Sequence, residues 1–263
     1  MSGKLVIIGG AEDQERHCTI LRTVLGLTGE ANPRVAVIGA ASTEPVETGQ
    51  NYEQVFGELG AASVRLLTLS HRNSAQDEST AALLQEAAVI FITGGDQLRL
   101  TSILGGTALL RILQERFKQG AVLAGTSAGA SAMSHTMIIG GSEKEPPQRG
   151  LIHMAPGLGF LPGVLVDQHF AQRGRFGRLL AAVALNPALL GIGIDEDTAV
   201  LVRENRWLEV VGSAGVTIVD GSSLVHTNVS ETAPRETLTL SYFQLHSLAR
   251  GARFDMQHRG VTV

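Results

Sequence analysis

Five short apolar runs set the rhythm of the chain. Residues 5–8, 35–38, 64–67, 89–92 and 122–124 are continuous and mostly β-branched, as expected of strands buried on both faces of a parallel sheet. Between them, stretches 14–27, 46–59, 79–87 and 107–119 carry the spacing of amphipathic helices. Each run ends in Gly, Ser or Thr, where a sheet of this kind exposes its loops. The alternation predicts an α/β fold with a doubly wound, mainly parallel sheet.

The pattern changes after residue 140. Gly141 to Gly150 is polar and contains two prolines, so it reads as a loop, long enough to serve a site rather than only to connect elements. Residues 164–170 read as a strand ending in polar residues, and 175–185 as a helix. Stretches 191–194, 198–203, 207–211 and 216–219 predict a strand-rich C-terminal part. No repeat, low-complexity tract or linker interrupts the chain, so one domain over 1–263 is the simplest organisation.

Composition narrows the functional classes. At 44% hydrophobic and 17% charged residues the chain forms a sizeable core and is not disordered. A formal net charge of −4, without Lys/Arg clustering over a face, points away from nucleic acid. No apolar stretch approaches the roughly 18 residues of a membrane span, and the N-terminal run is too short for a signal peptide. A cytoplasmic protein with no membrane partner is expected. The single cysteine, Cys18, cannot form an internal disulfide and reads as a small buried hydrophobe.

Candidate chemistry begins at Gly125-Thr126-Ser127-Ala128-Gly129, directly after a predicted buried strand. This is the Gly-x-Ser-x-Gly pattern of a nucleophile elbow, in which small neighbours let a strained serine stand out from a sharp turn. The Ala128 N–H would then serve half of an oxyanion hole. The alternative is a glycine-rich turn with a capping serine. Thr93-Gly94-Gly95-Asp96-Gln97 ends another strand at the same sheet edge, and its glycines would bring a second N–H near Gly95. Asp96 reads equally as a helix N-cap, leaving Gln97 as a candidate substrate contact.

A serine nucleophile needs a base. Of eight histidines, His169 alone follows a predicted buried strand, in Asp167-Gln168-His169-Phe170. An orienting acid is sought in Asp195-Glu196-Asp197, where spacing does not choose among the three. The order serine, histidine, acid differs from that of α/β-hydrolases, and no His-Gly-Gly-Gly signature is present, which disfavours an ordinary lipase or esterase. Arg173, Arg175 and Arg178 follow closely and suit forked carboxylate recognition, and their position at a helix start, against its dipole, favours a functional reason over a solvated basic turn. The histidines and acids show no metal-binding spacing, and this chemistry needs no metal or organic cofactor.

Taken together, Gly9–Asp13, Gly94–Gln97, Gly125–Ala130, Gly157–Gly163, Asp167–Arg178 and Gly193–Ala199 resemble the cyanophycinase family of serine peptidases, in order along the chain. Aspartyl dipeptidases are broader relatives. The resemblance implies a class I glutamine amidotransferase-like fold with serine at the elbow. It implies hydrolysis of cyanophycin, a polyaspartate carrying arginine through isopeptide bonds, to β-Asp-Arg, with attack expected at the β-aspartyl carbonyl. By position it assigns Ser127 as nucleophile, His169 as base and Glu196 as acid. It gives Gln97, Asp167, Gln168, Arg173, Arg175 and Arg178 as substrate-site residues, with Asp167, Glu44 or Glu143 facing substrate guanidiniums. It also implies a homodimer. A β-aspartyl dipeptidase and a non-catalytic small-ligand binder on the same fold are the alternatives.

Overall fold

The computed structural model describes residues 3–42 and 44–262. Its first half alternates strand and helix: β1 (Lys4–Ile8), α1 (Thr19–Gly26), β2 (Arg34–Ile38), α2 (Pro45–Glu58), β3 (Ser63–Leu67), α3 (Glu78–Gln85) and β4 (Val89–Ile92). Then come α4 (Gln97–Leu104), α5 (Ala108–Lys118), β5 (Val122–Thr126) and α6 (Ala128–Ala132). A hairpin of β6 (Thr136–Gly141) and β7 (Ile152–Pro156) leads to β8 (Val164–Asp167), α7 (Phe176–Leu185) and β9 (Leu190–Ile194). The remainder is strand: β10 (Thr198–Arg203), β11 (Trp207–Gly212), β12 (Val216–Asp220), β13 (His226–Thr227), β14 (Leu240–Ser241), β15 (Gln244–Leu248), β16 (Arg253–Asp255) and β17 (Gly260–Thr262).

The five apolar runs form the parallel part of a nine-stranded sheet, ordered β17-β16-β11-β10-β1-β5-β4-β2-β3. Side chains alternate between its faces as a two-residue period requires. Leu5, Ile7, Ile90, Ile92 and Leu123 face α4, α5 and α6, while Val6, Ile8, Val89, Phe91 and Val122 face α1 and α2. Burial of an Ile or Leu contributes roughly 1.5–3 kcal/mol, against about 1 kcal/mol spanned by strand propensity, so two-sided packing fixes these strands.

The expected mainly parallel sheet requires correction. On the far side of β1 the sheet continues antiparallel through β10, β11, β16 and β17, with short turns joining β10 to β11 and β16 to β17. A second sheet, β15-β12-β9-β8, packs on the same core as α4 to α6 and holds the strand that precedes His169. The predicted helix 14–27 starts only at Thr19. Asp13 accepts the backbone N–H groups of Glu15, Arg16, His17 and Cys18, holding that segment in a turn. The predicted strand 164–170 stops at Asp167, because His169 turns into the left-handed region with φ +47°. Cys18 is buried with a free thiol, and burial raises its pKa. Among the described residues no helix is long and apolar enough to cross a membrane.

Candidate active site

The chain leaves β5 in a sharp turn. Ser127 has φ +51° and ψ −110°, a conformation that costs on the order of 1–3 kcal/mol and persists only where the surroundings enforce it. Here the Ser127 N–H donates to the Ile8 carbonyl at 3.0 Å, and α6 begins at the next residue. The flanking glycines are steric necessities. A Cβ on Gly129 would lie 2.4 Å from the Ile92 carbonyl oxygen, and one on Gly125 would lie 2.7 Å from Met133 Cε. Ala128, as first helical residue, has an N–H without an intrahelical acceptor.

His169 reaches the same point from the second sheet. Its N–H donates to the Gly9 carbonyl at 2.8 Å, and its ring packs against Gly10. A Cβ there would fall 2.3 Å from the ring's Cε1, so Gly10, with φ +100°, leaves the space the imidazole occupies. Nε2 stands 2.9 Å from Ser127 Oγ, and Nδ1 stands 2.6 Å from Glu196 Oε1. Burial pulls the His169 pKa down; Glu196 opposes this, Arg173 adds to it, and the net position is below the ordinary histidine value. The imidazole is thus held neutral near pH 7, the form that accepts a proton.

The acidic triplet bridges the two sheets between β9 and β10, and the structure separates its members. Asp195 accepts the N–H groups of Ala171 and Gly215. Asp197 accepts the Asp13 N–H and the Ser213 hydroxyl. Only Glu196 meets His169, while its own N–H donates to Gln172 Oε1 at 3.1 Å.

Opposite Ser127, Gly94 and Gly95 carry the chain past the hydroxyl. A Cβ on Gly94 would sit 3.8 Å from Ser127 Oγ, and one on Gly95 would collide with the Ala41 carbonyl oxygen at 2.1 Å. Asp96 caps α4, accepting from the Leu98 and Arg99 N–H groups. Gln97 is partly buried and donates to the Ile138 carbonyl at 2.8 Å. A cleft of about 470 Å³ opens here, lined by Ser127, Gly94, Gly95, Ser42, Glu12 and Tyr52. Another of about 400 Å³, on Leu201, Trp207 and Arg253, holds none of these groups.

The arginine block divides, and this corrects the expectation of three presented guanidiniums. Arg178 forks onto both oxygens of Asp167, and the two side chains are 6% and 1% exposed. Asp167 also accepts from Arg175 Nη1 at 3.4 Å, so its carboxylate is paired within the protein. Arg175, equally buried, donates to the Gln168 carbonyl at 2.6 Å, to Gln168 Oε1 at 2.9 Å and to Glu143 at 2.7 Å. Arg173 alone remains 46% exposed, 3.8 Å from Glu143. Glu143 and Asp167 offset the charge of the arginines that oppose the α7 dipole. Glu143 comes from the loop between β6 and β7. Burial works against its charge, but Arg175, Arg173 and Arg178 hold its pKa below the usual carboxylate value. Glu44 is exposed and takes no part in this network. Glu12 and Tyr52, which line the cleft, and Gly10, which makes room for the His169 ring, are the residues that sequence spacing missed. The signal for Glu12 was an acid four positions past the end of a buried strand, after Gly9-Gly10-Ala11. Among the described residues no cluster of three or more His, Cys, Asp or Glu stands in metal-holding geometry.

The model of peptidase family S51 matches residues 5–210. A cyanophycinase of Trichormus variabilis is 44% identical over 258 residues, covering 98% of this chain and 87% of its own. A cyanophycinase of Geminocystis herdmanii is 41% identical over 256 residues, covering 97% and 94%. A crystal structure of a peptidase from an acI-B1 Actinobacterium superposes with a TM-score of 0.72 at 24% identity, over 97% of this chain and 98% of that one, a likeness of fold.

Proposed function

The chain belongs to peptidase family S51, and from this premise we propose that it is a serine-type exopeptidase that hydrolyses cyanophycin to β-Asp-Arg dipeptides. The observation that carries this reading is the line from Ser127 through His169 to Glu196, at 2.9 and 2.6 Å, in a chain so similar to two cyanophycinases.

Ser127 is the nucleophile. The Glu196 carboxylate accepts Nδ1–H, which leaves Nε2 as acceptor for the serine proton. The attacked carbonyl differs from the one expected from the resemblance. A released β-Asp-Arg keeps its isopeptide bond, so the bond that breaks is the main-chain amide between two aspartyl residues. Ser127 Oγ adds to that carbonyl as its proton passes to His169 Nε2. The oxyanion is met by the Ala128 N–H and by an N–H at Gly95, each donor of this kind being worth about 3–4 kcal/mol. His169 then gives its proton to the departing amine. Water, deprotonated by the same nitrogen, releases the dipeptide and restores the serine.

Around this line, Arg173 is the exposed cation for a substrate carboxylate. Gln97, Asp167, Gln168, Arg175 and Arg178 build the wall that positions the substrate. A class I glutamine amidotransferase-like arrangement suits the central parallel strands with a nucleophile at a strand end. The core running from Leu5 to Phe254 supports one hydrolytic domain over 1–263. A cytoplasmic homodimer completes the reading, supported by the single unpaired cysteine and the family resemblance.

Purified protein is incubated with cyanophycin and with free β-Asp-Arg, and products are weighed by mass spectrometry. β-Asp-Arg accumulates from the polymer, and Ser127→Ala lowers the rate by about 10⁶-fold. Intact polymer alongside split dipeptide would establish the dipeptidase instead.

A further inference from the structure

Four carboxylates are buried among the described residues: Glu12, Asp167, Asp220 and Asp255. Three of them face a guanidinium, from Arg178, Arg259 and Arg206 respectively. Glu12, 5% exposed, faces none, and no ion pair of the described residues includes it. A buried carboxylate without a cation is costly enough that its persistence calls for a reason.

The surroundings of Glu12 supply one. The Tyr52 hydroxyl donates to Oε1 at 2.5 Å and the Thr126 hydroxyl donates to Oε2 at 2.6 Å. Both oxygens therefore act as acceptors, the pattern of a carboxylate anion. A carboxylate offers about four lone-pair positions, so roughly two remain, the number a guanidinium fork requires. Burial and the neighbouring Glu12 raise the Tyr52 pKa, keeping the phenol a donor. Glu12 lines the cleft that also contains Ser127, and Thr126 is the residue before that serine.

We propose that Glu12 is the subsite for the arginine guanidinium of the substrate unit held at Ser127, and thereby sets specificity for a basic side chain. This rests on the cyanophycin reading for the identity of the cation. Tyr52 and Thr126 are positioning residues that hold the carboxylate toward the cleft.

The test compares short β-Asp-Arg oligomers with matched oligomers carrying citrulline, which is neutral and nearly isosteric with arginine. Glu12→Gln lowers kcat/KM on the arginine oligomer by about a hundredfold and leaves the citrulline oligomer within about threefold. Labelling of Ser127 by a fluorophosphonate in the absence of substrate stays at the wild-type rate. An equal fall on both oligomers, slowed labelling, or no change would overturn the proposal. If Glu12→Gln does not fold, Glu12→Asp must narrow the arginine-to-citrulline ratio, and Tyr52→Phe, which removes a hydroxyl that holds the carboxylate, must narrow it too, by less; an unchanged ratio in both rejects the subsite. Protection of Ser127 from the label by β-Asp-Arg and by β-Asp-citrulline separates the two readings. Wild-type protein that cleaves neither oligomer, yet is protected better by the arginine dipeptide in a Glu12-dependent way, keeps the subsite and removes the polymer. Equal protection by both dipeptides removes the subsite.

Discussion

Two histidines in this molecule meet a carboxylate through Nδ1 at nearly the same distance. His169 contacts Glu196 at 2.6 Å, and His258 contacts Asp255 at 2.7 Å. Their settings are opposite. The His169 side chain is 12% exposed, its backbone is forced into the left-handed region, and its other nitrogen meets a serine hydroxyl. The His258 side chain is 71% exposed, and its carboxylate already receives a two-pronged contact from Arg206. Arg206 and the nearby backbone N–H groups hold the Asp255 pKa well below its usual value, against burial, which raises it. A histidine–carboxylate contact thus has no chemical meaning by itself. What distinguishes His169 is a serine hydroxyl on one side, partial desolvation, and an acid with no competing cation among the described residues.

The largest expected break in this contrast is Glu196→Gln. The carboxamide keeps the shape but no longer enforces the Nδ1–H tautomer, and kcat drops by about 10⁴-fold. The same variant sharpens the electrostatics. The base works only when neutral, so kcat/KM is lost as pH falls through the His169 pKa, on a limb centred below 6.5. Glu196 raises that pKa, so its removal moves the limb to still lower pH, and a pH–rate profile reads the displacement. A limb moving upward would contradict the assignment. Next in size is Gly10→Ala, which places a methyl where the imidazole lies and costs about a hundredfold in kcat/KM by shifting the ring. Fluorophosphonate labelling of Ser127 should slow in parallel. Smallest is His258→Ala, which leaves kcat/KM within about twofold, as expected of an exposed surface contact. A substantial loss of activity there would mean that the second pair takes part in function.

How much of this was legible depends on where each contact is decided. The central strands were plain because β1, β2, β4 and β5 are apolar on both faces, a pattern that needs no knowledge of their neighbours. β15, by contrast, reads Gln-Leu-His-Ser-Leu and buries only Leu248, so its pairing with β12 leaves little trace in composition. Ser127 and His169 were visible because each follows directly from a strand end. Glu196 was not separable from Asp195 and Asp197, since what differs is which backbone groups claim each side chain. In the sequence the arginine block reads as cations for substrate carboxylates. Its partner Asp167 stands eleven residues before Arg178, and only the packing of α7 on β8 turns that spacing into a buried fork.

The meeting of two sheets at the serine has a consequence for the newborn chain. Ser127 belongs to the first half of synthesis, yet the imidazole that meets it arrives 42 positions later, and the glutamate another 27 after that. A ribosome-bound fragment can finish its parallel strands and display a complete elbow while lacking any means to use it. The line from Ser127 to Glu196 is complete only once β9 has turned into β10.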